Sequence, residues 1–75
     1  MNRYVVGVYD RYGRVSETTC VDFAHCVEVA RILARHHPNE VVRAFNLDRA
    51  DLDSDGLTDE ERDAVAEAIA GEAGA

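Results

Sequence analysis

A chain of 75 residues, 47% apolar and 31% charged, has room for one small domain with a modest core. Eight Arg, no Lys and fifteen acids leave a net charge of −7, which repels nucleic-acid phosphate and argues against direct DNA or RNA binding. No apolar run approaches the roughly 20 residues of a membrane span, and Met1-Asn2-Arg3-Tyr4 leads straight into a β-like run without a signal-peptide pattern, so a cytoplasmic protein away from membranes is expected.

Residues 3–9 are rich in β-branched and aromatic side chains and predict a first strand. Asp10 to Arg14 is a turn in which Gly13 supplies positive φ, and residues 15–21 complete a hairpin. Asp22 then stands as an N-cap before a helical period over 23–37. Phe23, Cys26, Val27, Ala30, Leu33 and Ala34 share one face of that helix, with Glu28, Arg31 and Arg35 opposite; Pro38 stops it. Residues 41–47 predict a third strand, and Asp48–Gly56 an acidic loop. Thr58-Asp59-Glu60-Glu61 has the pattern of a capping box opening a second helix. Ala64–Ala70 carry that helix, Gly71 is expected to end it, and Glu72–Ala75 to fray.

The order predicts an α+β fold: a ββαβ module over 1–47, its three-stranded antiparallel sheet ordered 2-1-3 with one helix packed on it. The acidic loop and second short helix (48–75) belong to the same domain. The first strand is apolar on both sides, with Tyr4, Val6 and Val8 on one face and Val5 and Tyr9 on the other. The third strand behaves likewise, with Val42 and Ala44 opposite Phe45 and Leu47. A sheet with one solvated face alternates more cleanly, so a cover for the second face is expected. The second helix has only Val65 and Ile69 as large apolar residues, and a second copy of the chain, a homodimer, is the preferred cover.

Charge is unevenly placed. Residues 1–47 hold six Arg and five acids, whereas 48–75 hold two Arg and ten acids. Within the acidic half, Asp51-Leu52-Asp53-Ser54-Asp55-Gly56-Leu57-Thr58-Asp59 resembles the calcium loop of EF-hands and the related loops of dockerin and thrombospondin type 3 repeats. Such a loop wraps a hard cation in oxygens from alternate positions. The resemblance implies calcium, with Asp51, Asp53 and Asp55 as first ligands, Gly56 at the sharp turn, the Leu57 carbonyl next and Asp59 through water. The position of the bidentate Glu is Arg62, so Glu61 or Glu60 would have to ligate from a shifted register. The resemblance covers about twelve residues, and the preceding segment reads as a strand, not an entering helix. The competing expectation is purely structural: Asp and Ser form side-chain-bonded turns, Gly56 turns the chain and Thr58 caps the helix.

Cys20, His25 and Cys26, with His36 and His37 farther on, offer soft donors for zinc but lack the usual ligand spacing. A Cys20–Cys26 disulfide is likewise not expected in a cytosolic chain. No oxyanion loop or phosphate cradle accompanies these residues, and the carboxylates lie on a solvated loop, so no enzyme activity is expected. Ile32, beside Val29, falls on the polar side of the first helix. What remains is a small acidic regulator or inhibitor acting by protein–protein contact. It is similar in size and acidity to phage-encoded anti-CRISPR and anti-restriction proteins, which occupy basic nucleic-acid-binding surfaces. Asp51, Asp53, Asp55, Asp59, Glu60, Glu61 and Asp63 are the candidate contact residues. The single-site calcium module is the alternative.

Overall fold

In the computed structural model, which describes residues 3–73, β1 (Tyr4–Asp10) and β2 (Gly13–Cys20) form the hairpin. The ladder runs from Tyr4↔Cys20 to Asp10↔Gly13, so β2 begins two residues earlier than the sequence pattern implies. Gly13 takes φ 124° at the turn, and the Asp10 carboxylate accepts a hydrogen bond from the Tyr12 N–H at 2.7 Å. A register shift between Val8 and Tyr9 leaves Val15 as an extra residue on β2, a bulge that bends this edge.

Helix α1 (Phe23–His36) starts where Asp22 is extended and its carboxylate accepts from the His25 N–H at 2.8 Å. It ends at His36 because Pro38 disfavours helical geometry at His37. The chain then forms β3 (Val41–Asn46), antiparallel to β1, giving the sheet order β2-β1-β3. This is the α+β topology expected from the sequence.

One face of the sheet carries the core. Tyr4, Val6, Val8, Cys20, Val42 and Ala44 cluster with Cys26, Ala30 and Ala34 of α1, whose small side chains permit close approach. Phe23 tilts against Tyr4 with ring centroids 5.5 Å apart. Helix α2 (Asp59–Ala73) packs mainly beside α1, and Leu57 and Val65 join the same cluster. The acidic half of the chain therefore completes the core of the ββαβ half. Gly71 does not end α2. It has no positive φ and lies within the last turn, where Arg35 of α1 donates to Glu72 at 3.0 and 3.2 Å.

Among the described residues no helix covers the other face of the sheet, and its own side chains fill part of it. The Tyr9 ring lies 2.8 Å from where a Cβ on Gly7 would stand, so the ring occupies the space that glycine leaves. The Arg43 guanidinium sits 5.4 Å from the Phe45 ring centroid. Val5 is only 4% exposed beneath this layer. Tyr9 and Phe45 are half-buried on this face, whereas Val41 and Leu47, of the same strand parity, stay 59% and 47% exposed.

Candidate functional site

The acidic loop is built around Asn46, which is fully buried at the end of β3. Its N–H donates to the Asp55 carbonyl at 2.8 Å, and its own carbonyl accepts from the Arg49 and Ala50 N–H groups at 3.1 and 2.8 Å. Its side-chain Oδ1 accepts from the Asp48 N–H at 3.0 Å, while Nδ2 has no partner. Gly56, at φ 80°, closes the loop from the other side; a Cβ there would stand 2.4 Å from the Asn46 carbonyl oxygen. The loop wraps a backbone carbonyl, and that is what requires the glycine.

Successive side chains then serve the loop's own backbone. Asp51 accepts from the Asp53 N–H at 2.9 Å, Ser54 from the Gly56 N–H at 3.1 Å, and Asp55 from the Leu57 N–H at 3.0 Å. These are the self-bonded turns of the structural expectation. The capping box is also present: Thr58 Oγ1 accepts from the Glu61 N–H at 3.1 Å, and Glu61 accepts from the Thr58 N–H at 3.0 Å. Arg3 anchors the loop's start, its backbone N–H and guanidinium donating to Asp48 at 2.6 and 3.1 Å.

The seven candidate carboxylates divide into two groups. Glu61 and Asp55 are committed inward. The Tyr4 hydroxyl donates to Glu61 at 2.6 Å and the Arg49 guanidinium lies 4.0 Å away. Burial pushes the Glu61 carboxyl up, but the Thr58 N–H, the Tyr4 hydroxyl and Arg49 outweigh it and hold it below the usual carboxylate range. Burial opposes ionisation of Asp55 as well, and the Leu57 N–H and Arg62, which donates at 3.3 Å, outweigh it in the same direction. Asp51, Asp53, Asp59, Glu60 and Asp63 are exposed. Asp59 is paired with Arg62 at 3.1 Å. Among the described residues, the side chains of Asp53, Glu60 and Asp63 take no hydrogen bond or ion pair, and Asp51 holds only the Asp53 N–H.

The calcium alternative needs Asp51, Asp53, Asp55, Asp59, Glu61 and the Leu57 carbonyl around one point, and of these Asp51, Asp53 and Asp55 line one hollow. Among the described residues no three His, Cys, Asp or Glu side chains converge as a cation's ligands. The Leu57 carbonyl instead accepts from the guanidinium of Arg62, the residue that stands at the sequence position of the EF-hand's bidentate Glu, at 3.4 Å. Nor, among the described residues, do three soft donors converge. His25 Nδ1 accepts from the Val21 N–H at 3.1 Å. Cys20 and Cys26 are free, buried thiols, and burial together with the neighbouring Cys20 pushes Cys26 up to about 12. A thiol so protonated is a core side chain rather than a nucleophile.

Sequence reasoning missed Asn46, Tyr4 and Arg35 as residues that fix the acidic half. For Asn46 a signal existed: strand alternation places it on the same face as Val42 and Ala44. Among the described residues no helix is long and apolar enough to cross a membrane. No protein-family model matches the chain, and none of the curated proteins or solved structures compared with it is similar to it.

Proposed function

We propose that this chain is a non-enzymatic contact protein that binds a basic surface on another protein, with Asp51, Asp53, Glu60 and Asp63 as the engaging carboxylates. Their outward, uncommitted placement supports this: a cation loop turns its carboxylates inward, whereas a mimic of phosphate presents them to solvent. Asp55 and Glu61, and to a lesser degree Asp59, position the loop and the helix. The concrete form is a cytoplasmic inhibitor that occupies the nucleic-acid-binding surface of its target, as anti-CRISPR and anti-restriction proteins do. A charge of −7 on each copy favours a monomer meeting its partner over a homodimer. Light scattering decides between the two masses.

The test is binding to a panel of purified restriction and RNA-guided nucleases, with DNA as competitor. Exposed carboxylates that stand in for phosphate predict binding that DNA competes away and that salt weakens. The variant carrying Asp51→Asn, Asp53→Asn, Glu60→Gln and Asp63→Asn is expected to bind at least about tenfold more weakly. Since these side chains bond little within the chain, its melting temperature is expected to stay level or rise as like-charge repulsion falls. Binding that survives the four substitutions, or that salt does not weaken, overturns the proposal.

A further inference from the structure

Between the acidic loop and the first turn of α2 the chain passes through Gly56, at φ 80°. A glycine restrains its own backbone least, so local chemistry alone leaves the loop jointed to the helix there. One side chain spans that joint. Arg62, on α2, donates to the Asp55 carboxylate at 3.3 Å, before Gly56 in the chain. It also donates to the Leu57 carbonyl at 3.4 Å and to the Asp59 carboxylate at 3.1 Å, both after Gly56. A guanidinium carries its N–H donors in a fixed planar fork, which lets one group meet three acceptors at once.

The turn that carries Asp51 and Asp53 is closed on itself just upstream. The Asp51 N–H donates to the Ser54 carbonyl at 3.1 Å and the Ser54 N–H to the Asp51 carbonyl at 3.4 Å. That turn joins Asp55, whose backbone carbonyl is held by the Asn46 N–H of β3 at 2.8 Å while its carboxylate is held by Arg62. On the helix side, Glu60 and Asp63 belong to the same turns of α2 as Arg62, and Glu61 ties those turns to Tyr4 of β1. Asn46 and Tyr4 thus fasten the two sides to the sheet, and Arg62 fastens them to each other. The other guanidinium near the joint, Arg49, lies at the longer distance of 4.0 Å from Glu61. Water screens the strap: the Arg62 side chain is 51% exposed and that of Asp59 is 96% exposed, so these pairs add little to overall stability.

We infer that Arg62 is a positioning residue of the acidic contact surface, holding the loop carboxylates Asp51 and Asp53 in fixed register with the helix carboxylates Glu60 and Asp63. This rests on the proposal that those four engage a basic protein. A rigid array meets a folded surface without the ordering cost that a jointed one incurs. Charge by itself acts in the opposite direction. Removing Arg62 makes a chain of net charge −7 more negative by one, which strengthens its attraction to any basic partner. The sign of the change in affinity therefore separates position from charge.

Arg62→Gln and Arg62→Lys are compared with the unmodified chain on two probes. One is each purified nuclease of the panel that the unmodified chain binds, a folded surface. The other is a flexible, end-blocked oligo-arginine peptide, which responds to total charge. Arg62→Gln is expected to bind the nuclease about tenfold more weakly, through faster dissociation with association level or faster. It is expected to bind the peptide as tightly as before or more tightly. Arg62→Lys keeps the charge without the fork and is expected to weaken the nuclease complex as well. In the free protein, amide exchange at Asp53, Gly56 and Leu57 is expected to quicken at least about tenfold in Arg62→Gln, with the hairpin and α1 unchanged. The melting temperature is expected to fall by less than about 8 °C. Nuclease binding by Arg62→Gln as tight as that of the unmodified chain, or tighter, overturns the assignment. So does full affinity in Arg62→Lys, or a loss seen only as a smaller active fraction with dissociation unchanged. Unchanged exchange at those three amides overturns it with no nuclease present. An unmodified chain that binds no nuclease ends the contact proposal and this assignment together. Binding lost in the four-carboxylate variant but kept in Arg62→Gln ends this assignment alone.

Discussion

Two glycines of the acidic half have opposite roles. A methyl group at Gly56 would meet the Asn46 carbonyl oxygen at 2.4 Å and the Ala50 nitrogen at 2.7 Å, at a φ of 80° that L side chains resist. Gly56→Ala is therefore expected to cost at least about 2 kcal/mol in urea unfolding, a large part of the stability of so small a domain. Gly71 is helical and faces open space, so Gly71→Ala is expected to gain about 0.5–1 kcal/mol. Titration gives a second test at this scale. Glu61 and Asp55 have folded-state carboxyls held below their ordinary range. Their stabilisation is complete above the unfolded values near ~4 and is lost as pH falls through the lower folded ones. The melting temperature is expected to drop on acidification below about pH 4, and Glu61→Gln is expected to flatten that acid limb.

Elements were legible where the signal was local. The hairpin, the Asp22 cap, the stripe of α1 and the Thr58–Glu61 box each lie within a few residues of sequence, and each forms. The end of α2 was not legible, because what holds it is Arg35, 37 positions away from Glu72. A glycine near a helix end is a stop only if no tertiary contact carries the helix past it. Glu72→Gln weakens that ion pair, and hydrogen exchange over residues 70–73 is expected to quicken while the middle of α2 is unchanged. The same limit applies to the acidic loop. Its spacing resembles a calcium loop and equally fits a chain of self-bonded turns, and the residue that anchors the loop, Asn46, precedes the resemblance altogether.

For the molecule as a whole, the N–H groups of Asp53, Gly56 and Leu57 find acceptors in the loop's own side chains, which favours the structural reading of the loop over the cation-bound one. Millimolar calcium added to chelator-treated protein is expected to leave the melting temperature where magnesium leaves it. A tight native site would instead add about 2.7 kcal/mol at a hundredfold excess over its dissociation constant. Sequence by itself determined the strands, α1, the start of α2, the sheet order and the faces on which Val6 and Val5 lie, since period and capping act between near neighbours. It also located the acidic half, because charge is a property of composition. Only the tertiary structure decided which carboxylates are free, where α2 ends and which residues of the second sheet face are buried. Tyr4 with Glu61, Arg35 with Glu72, and the Tyr9 ring over Gly7 are contacts set by packing in space, and no local pattern in the chain encodes them.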